Sequence, residues 1–243
     1  RLTMAPRRTA RAERSRRLHV VAAIPVLLLT LDLPPHVRAA TEGPRPGIAS
    51  GLRYVRDEPT LLALLLALGA VSGLSLQFNA LLPAAAQRMF AAGVRGYGML
   101  LTAFGSGAVL SALGLASSRY TREQHVRNLL FGLCVFGAGL LALSTTRRLV
   151  PALACEVFAG FGMIRFTATT NAMLQVLVDD RYRGRIMGLH TVMFLGTAPA
   201  GSLVLGAVAE HFSVPAALVV SGTVPLVAAA WLARRLVGAR APG

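Results

Sequence analysis

Two charged residues, Glu156 and Arg165, interrupt an otherwise apolar stretch over residues 149–178. An ionisable side chain in such a stretch costs about 3 kcal/mol on membrane-insertion scales, so it marks a candidate functional site. At 100° per residue, nine residues rotate by half a circle and rise about 13 Å, so the two charges cannot pair on one helix. The carboxyl is a candidate proton carrier. The guanidinium needs an acceptor on another helix, on a missing part of the protein or on an anionic ligand.

Other polar side chains are concentrated in two of the apolar runs. Residues 59–87 and 149–178 carry most of them, whereas the third and sixth runs are nearly bare. Helices that line a wet cavity carry polar groups and helices that face lipid do not need them, so we expect the first and fourth runs to line a cavity and the third and sixth to face lipid. The candidates for the substrate or proton pathway are Arg165, Glu156, Thr167, Asn171, Gln77 and Asn79.

A cluster of charge follows the fourth run. Asp179, Arg181, Arg183 and Arg185 lie within seven positions, between two apolar runs. We predict that they lie at the cytoplasmic mouth and form state-dependent ion pairs with loops of the missing part of the protein, which close an inner gate. The alternative is that these arginines only anchor the orientation of the helices.

These residues are positioned by long apolar elements. The 243-residue chain is 54% hydrophobic and 14% charged, against about 25% charged in soluble domains. A spanning helix needs about 20 mostly apolar residues, and the candidate runs are 59–87, 96–118, 128–146, 149–178, 186–209 and 212–233. They are continuous rather than alternating, which favours helices over barrel strands. The sequence predicts an all-α membrane protein with a six-transmembrane-helix bundle over residues 59–238.

The basic residues give the orientation of this bundle. The net charge is +15, but the positive charges flank apolar runs, which does not indicate a nucleic-acid-binding surface. Cytoplasmic loops are enriched in basic residues. If the segment before the first run is cytoplasmic, that side holds arginines 38, 45, 53, 56, 119, 122, 127, 181, 183, 185, 234, 235 and 240, and the outer side holds only 88, 95, 147 and 148. Both ends of the six-helix unit are therefore expected in the cytoplasm.

The first 58 residues divide into three segments. Residues 1–17 form a basic tail, residues 18–33 a short apolar segment, and residues 34–58 a cytoplasmic linker rich in proline and glycine at its start. The apolar segment is too short to span comfortably. It is either the core of a signal peptide or the end of a truncated helix, and the resemblance described below favours the truncated helix.

The sequence gives little indication of an enzyme or of a metal-binding protein. The sequence has no Cys-x-x-Cys and no His pair at ligand spacing, so we expect no metal site and no cofactor. No paired carboxylates or Ser/His pair lie at a usable depth in the apolar runs, so no catalytic residue is assigned.

Three stretches carry a family resemblance: residues 51–65, 78–116 and 171–210, the last containing Asp-Asp-Arg-Tyr-Arg-Gly-Arg-Ile-Met. The chain resembles the C-terminal six-helix half of a major facilitator superfamily (MFS) transporter, in the bacterial efflux branch that includes enterobactin-exporter-like proteins. The resemblance implies half of an MFS fold, itself a three-plus-three inverted repeat.

The resemblance also implies a function. It points to proton-driven efflux of small molecules by alternating access, in the inner membrane of a bacterium. The implied partners are the lipid bilayer, a small-molecule substrate and an N-terminal six-helix half that this sequence lacks. The alternative is a non-transporting truncated fragment or a membrane partner subunit. An ABC-type permease fits the helix count, but the resemblance argues against it.

Overall fold

The computed structural model describes residues 48–116 and 121–238, and this part of the chain is helical throughout. Its helices are α1 (Ile48–Asp57), α2 (Pro59–Arg88), α3 (Gly93–Ala116), α4 (Arg122–Thr145), α5 (Leu149–Leu177), α6 (Asp180–His211) and α7 (Val214–Gly238). The six helices α2 to α7 are long and apolar enough to cross a membrane. The prediction of an all-α bundle with six spans is confirmed.

Parts of the predicted N-terminal organisation lie outside the described residues. These are the basic tail (1–17), the short apolar segment (18–33) and the linker as far as residue 47. The end of the predicted linker forms α1, and α1 packs against the beginning of α6, where the rings of Tyr54 and Tyr182 stack with centroids 4.4 Å apart.

Helix α5 lies between α3 and α4 and makes the most extensive contacts in the bundle. A Cβ atom added to Gly107 of α3 would collide with the carbonyl oxygen of Val157 on α5. On the other side, a Cβ atom added to Gly162 of α5 would lie 2.6 Å from the carbonyl oxygen of Gly132 on α4. Small residues let membrane helices approach until their backbones touch. The three helices therefore form a tightly packed unit with α5 at its centre.

Two of the spanning helices are interrupted near the middle of their length. In α2 a π-helical turn at Val71–Ser75 and a 3₁₀ segment at Leu76–Leu81 precede Pro83. In α6 a π-helical turn at Val192–Gly196 precedes Pro199. Proline removes a backbone donor and clashes with the carbonyl four residues earlier, so the preceding turn has to adjust.

The two interruptions face each other. A Cβ atom on Gly201 of α6 would overlap the carbonyl oxygen of Gly73, and one on Gly73 would lie 3.2 Å from the Cβ atom of Thr197. The distorted turns of α2 and α6 are therefore in direct contact.

Burial within the bundle differs strongly among the spans. In the most apolar stretch of each helix, only 17% of the residues of α3 and 11% of those of α6 are buried, compared with 61% in α2 and 44% in both α4 and α7. The third and sixth spans pack on each other and are not the most exposed ones. The second and fifth spans present the largest uncovered faces of the described bundle.

Candidate functional site

The carboxyl group of Glu156 is enclosed in the middle of the bundle. The residue is 0% exposed, and neither carboxyl oxygen has a hydrogen-bond partner within the part of the chain that the structure describes. On either side of it in sequence, the backbone of Cys155 contacts α4 and that of Val157 contacts α3. The exposed face of α5 includes Phe158, which is 60% exposed.

Arg165 lies on the other face of the same helix and has a polar partner. Its Nε and Nη2 atoms donate hydrogen bonds to Oδ1 of Asn128 on α4, at 3.3 and 3.0 Å. The guanidinium carbon lies 5.7 Å from the centre of the Phe131 ring and 5.3 Å from that of Phe161. A cation over aromatic faces is stabilised by about 0.5–2 kcal/mol at each ring. The prediction that Glu156 and Arg165 do not pair is confirmed.

Arg165 keeps N–H groups that these two hydrogen bonds do not use. A guanidinium has five N–H groups, and Asn128 accepts two of them. Asn128 is neutral, so the half-buried positive charge has no carboxylate partner among the described residues. The group can therefore bind an anion or a carboxylate through its remaining donors.

Asn128 is the partner that sequence reasoning missed. It lies at the first position of the third apolar run, which is otherwise nearly bare, and 37 positions before Arg165. A single polar residue at the beginning of such a run was the available signal, and only the packing of α4 on α5 relates it to the arginine.

The other predicted pathway residues are hydrogen-bonded within their own helices. The bonds run from Gln77 to the carbonyl of Ser72 at 3.0 Å, from Asn79 to the carbonyl of Leu76 at 3.2 Å, from Thr167 to the carbonyl of Met163 at 3.0 Å, and from Gln175 to Oδ1 of Asn171 at 3.0 Å. All four candidates are half-buried. None of these bonds joins them to Glu156 or Arg165, so the six candidates are not one connected cluster.

Three buried serines lie outside the set of predicted pathway residues. The hydroxyls of Ser72, Ser75 and Ser111 have no hydrogen-bond partner within the described residues. Ser72 and Ser75 belong to the π-helical turn of α2. Isolated serines in an apolar run are usually bonded to their own helix, so the pattern gave no signal that these hydroxyls would be unpaired.

The predicted gate residues make local interactions. Arg183 pairs with Asp180 at 2.8 Å on an exposed surface and reaches the carbonyl of Gln175 at 3.4 Å. Arg185 donates to the carbonyl of Arg181 at 3.2 Å, and its side chain packs on Gly51 of α1. Asp179 precedes the first turn of α6 and its side chain makes no capping bond.

Titratable side chains do not gather into a metal site in the described residues. No group of three or more His, Cys, Asp or Glu side chains lies close enough together to hold an ion across residues 48–116 and 121–238. The chemistry available at the site is therefore that of a lone carboxyl, a guanidinium and uncharged polar groups.

Comparison with known proteins identifies the family to which the chain belongs. No curated protein matches the chain. An MFS family model, described as transmembrane secretion effector, matches residues 16–239. The match spans all six apolar helices, including those that carry Glu156 and Arg165. The chain is thus a multi-pass membrane protein and belongs to the transmembrane secretion effector family of MFS transporters.

Proposed function

We propose that the chain provides one six-helix bundle of a proton-driven exporter of small molecules, in the enterobactin-exporter-like branch of bacterial MFS efflux proteins. The observation that carries the proposal is Glu156, a fully buried carboxyl without a hydrogen-bond partner among the described residues. Such a group is tolerated in an apolar interior only when it is neutral or meets a cation. A carboxyl with this property can couple a change of conformation to uptake and release of a proton.

The uncovered faces of two helices support the proposal that a second bundle is the partner of this one. Helices α3 and α6 are the least buried spans, and a Cβ atom added to Gly98, Gly105 or Gly206 would meet nothing within 4 Å. Such uncovered small residues suit close approach by other helices. In the proposed transporter an N-terminal six-helix half covers these faces, and the two halves rock about a central site.

Arg165 is the proposed binding group for an anionic part of the substrate or for an acid of the second bundle. Asn128 and the two phenyl rings hold the guanidinium in one orientation, and its remaining donors are suited to a carboxylate. Gln77, Asn79, Thr167 and Asn171 remain proposed pathway residues, since each can exchange a bond within its own helix for one to substrate.

The loop after α5 is the proposed cytoplasmic gate. The pair between Arg183 and Asp180 is exposed, and exposed pairs contribute only about 0–1 kcal/mol, so they exchange partners readily. Asp179, Arg181 and Arg185 are the further members of this gate. We place both ends of the bundle in the cytoplasm of a bacterial inner membrane, because the arginine distribution favours that orientation.

An efflux assay tests the proposal. The chain is expressed together with its flanking genomic segment in a bacterial strain without its own drug exporters, and accumulation of ethidium and of the anionic dye carboxyfluorescein is measured. We expect lower accumulation of at least one dye, reversal by a protonophore, and loss of the effect in Glu156→Gln.

The control variant is Thr170→Val, which changes an equally buried but hydrogen-bonded residue of the same helix. Unchanged accumulation of both dyes, with the protein present in the membrane, would favour the non-transporting fragment or partner subunit. Efflux that persists in Glu156→Gln would remove the role of the carboxyl in coupling.

A further inference from the structure

A groove of about 480 Å³ runs between α2 and α7, separate from the site described above. Its walls are almost entirely apolar and include Leu66, Ala70 and Leu74 on one side and Val227 and Trp231 on the other. Thr223 is the only hydroxyl-bearing residue among those that line it. An apolar groove on the outer surface of a spanning bundle is matched in polarity by a hydrocarbon chain.

The length of the groove corresponds to one leaflet of a bilayer. Each wall of the groove extends by eight positions along its helix, from Leu66 to Leu74 on α2 and from Thr223 to Trp231 on α7. Eight positions correspond to about 12 Å of helix rise. The hydrocarbon core of one leaflet is about 15 Å thick. The groove therefore suits a single acyl chain that enters from one side of the membrane.

A cationic group lies at one end of the groove. The guanidinium carbon of Arg235 lies 5.9 Å from the centre of the Trp231 ring, and Arg234 and Arg235 are both exposed. Neither arginine pairs with a carboxylate among the described residues. Tryptophan is enriched at the level of lipid headgroups, and arginine binds phosphate through paired hydrogen bonds.

From this combination we infer that the groove between α2 and α7 is a binding site for a phospholipid with an anionic headgroup, such as phosphatidylglycerol. One acyl chain lies along Leu74, Ala70 and Leu66, and the phosphate meets Arg235 beside Trp231. A zwitterionic lipid is a poorer occupant, because its amine opposes the positive charge of the arginine. The inference depends on the membrane location of the bundle and not on the proposed transport activity.

The chain itself contains the reporter for a test, because Trp231 is its only tryptophan. The purified protein is placed in phosphatidylcholine vesicles that contain a minor fraction of either dibrominated phosphatidylglycerol or dibrominated phosphatidylcholine, and quenching of tryptophan fluorescence is measured. We expect the relative binding constant at Trp231 to favour phosphatidylglycerol about fivefold, the contribution of one arginine near the surface.

Two pairs of variants make the test specific. Arg235→Gln should abolish the preference for phosphatidylglycerol, whereas Arg88→Gln, which removes the same charge at the far end of α2, should preserve it. Ala70→Leu fills the groove at an exposed position and should reduce quenching by both brominated lipids. Ala80→Leu, exposed on the same helix but outside the groove, should not.

Equal quenching of the unaltered protein by the two brominated lipids would overturn the proposal. A preference for phosphatidylglycerol that survives Arg235→Gln would also overturn it, because the charge would then be recognised elsewhere. Circular dichroism of each variant establishes that the helical bundle is retained.

Discussion

Replacing Glu156 by leucine should make the bundle more stable. The side chain is 0% exposed and its oxygens have no partner among the described residues, so the substitution removes no hydrogen bond that the structure contains. An unsatisfied buried polar group costs about 1–3 kcal/mol, and leucine removes that cost at similar volume. For a chain of this size the gain corresponds to a rise of roughly 2–12 °C in Tm. Thermal unfolding followed by circular dichroism in lipid nanodiscs measures it.

The matched control is Thr170→Val. Thr170 is also 0% exposed, but its hydroxyl donates to the carbonyl of Phe166 at 2.8 Å, so its replacement should leave Tm unchanged or lower it. A fall in Tm for Glu156→Leu would refute the reasoning, because it would mean that the carboxyl is stabilised by a partner. A gain in stability together with loss of dye efflux would separate the functional role of the carboxyl from any structural one.

Three further predictions concern packing and orientation. Asn128→Ala removes the acceptor of the buried arginine and should lower stability by about 1 kcal/mol, measured by the same thermal unfolding. Gly107→Ala forces α3 away from α5 and should cost about 1–3 kcal/mol, whereas Gly98→Ala, which meets open space, should cost nothing. Reporter fusions at Gly93 and Asp180 should report opposite sides of the membrane, with Gly93 outside. The same side for both would contradict the six-span model, and a cytoplasmic signal at Gly93 would contradict the orientation.

The six spans could be predicted from the sequence because crossing a bilayer is mainly a matter of apolar length. The separation of Glu156 from Arg165 could also be predicted, because it depends only on the rotation of one helix. The bond from Arg165 to Asn128 could not, since it depends on how α4 packs on α5. The expectation that the first and fourth spans line a cavity and the third and sixth face lipid stays a prediction, because it depends on which helices cover one another in the membrane.

The positions of the π-helical turns could not be predicted from the sequence. Proline at positions 83 and 199 indicates that the helix adjusts near each of these positions. The turn at Val71–Ser75 also contains Gly73, whose backbone contacts Gly201 of α6, 128 positions away along the chain. Local patterns contain no information on that contact.

The uneven packing of the bundle indicates where it can deform. Helix α5 touches α3 and α4 backbone to backbone at Gly107 and Gly162, so these three helices should move as one unit. Helices α2 and α6 also touch at Gly73 and Gly201, but this contact lies beside the π-helical turns of both helices. Such turns are less regular than an α-helix, so local unfolding there costs less free energy. Amide hydrogen exchange in nanodiscs should therefore be faster over residues 71–81 and 192–197 than over residues 155–162. Equal protection of the three segments would place the deformable part of the bundle elsewhere.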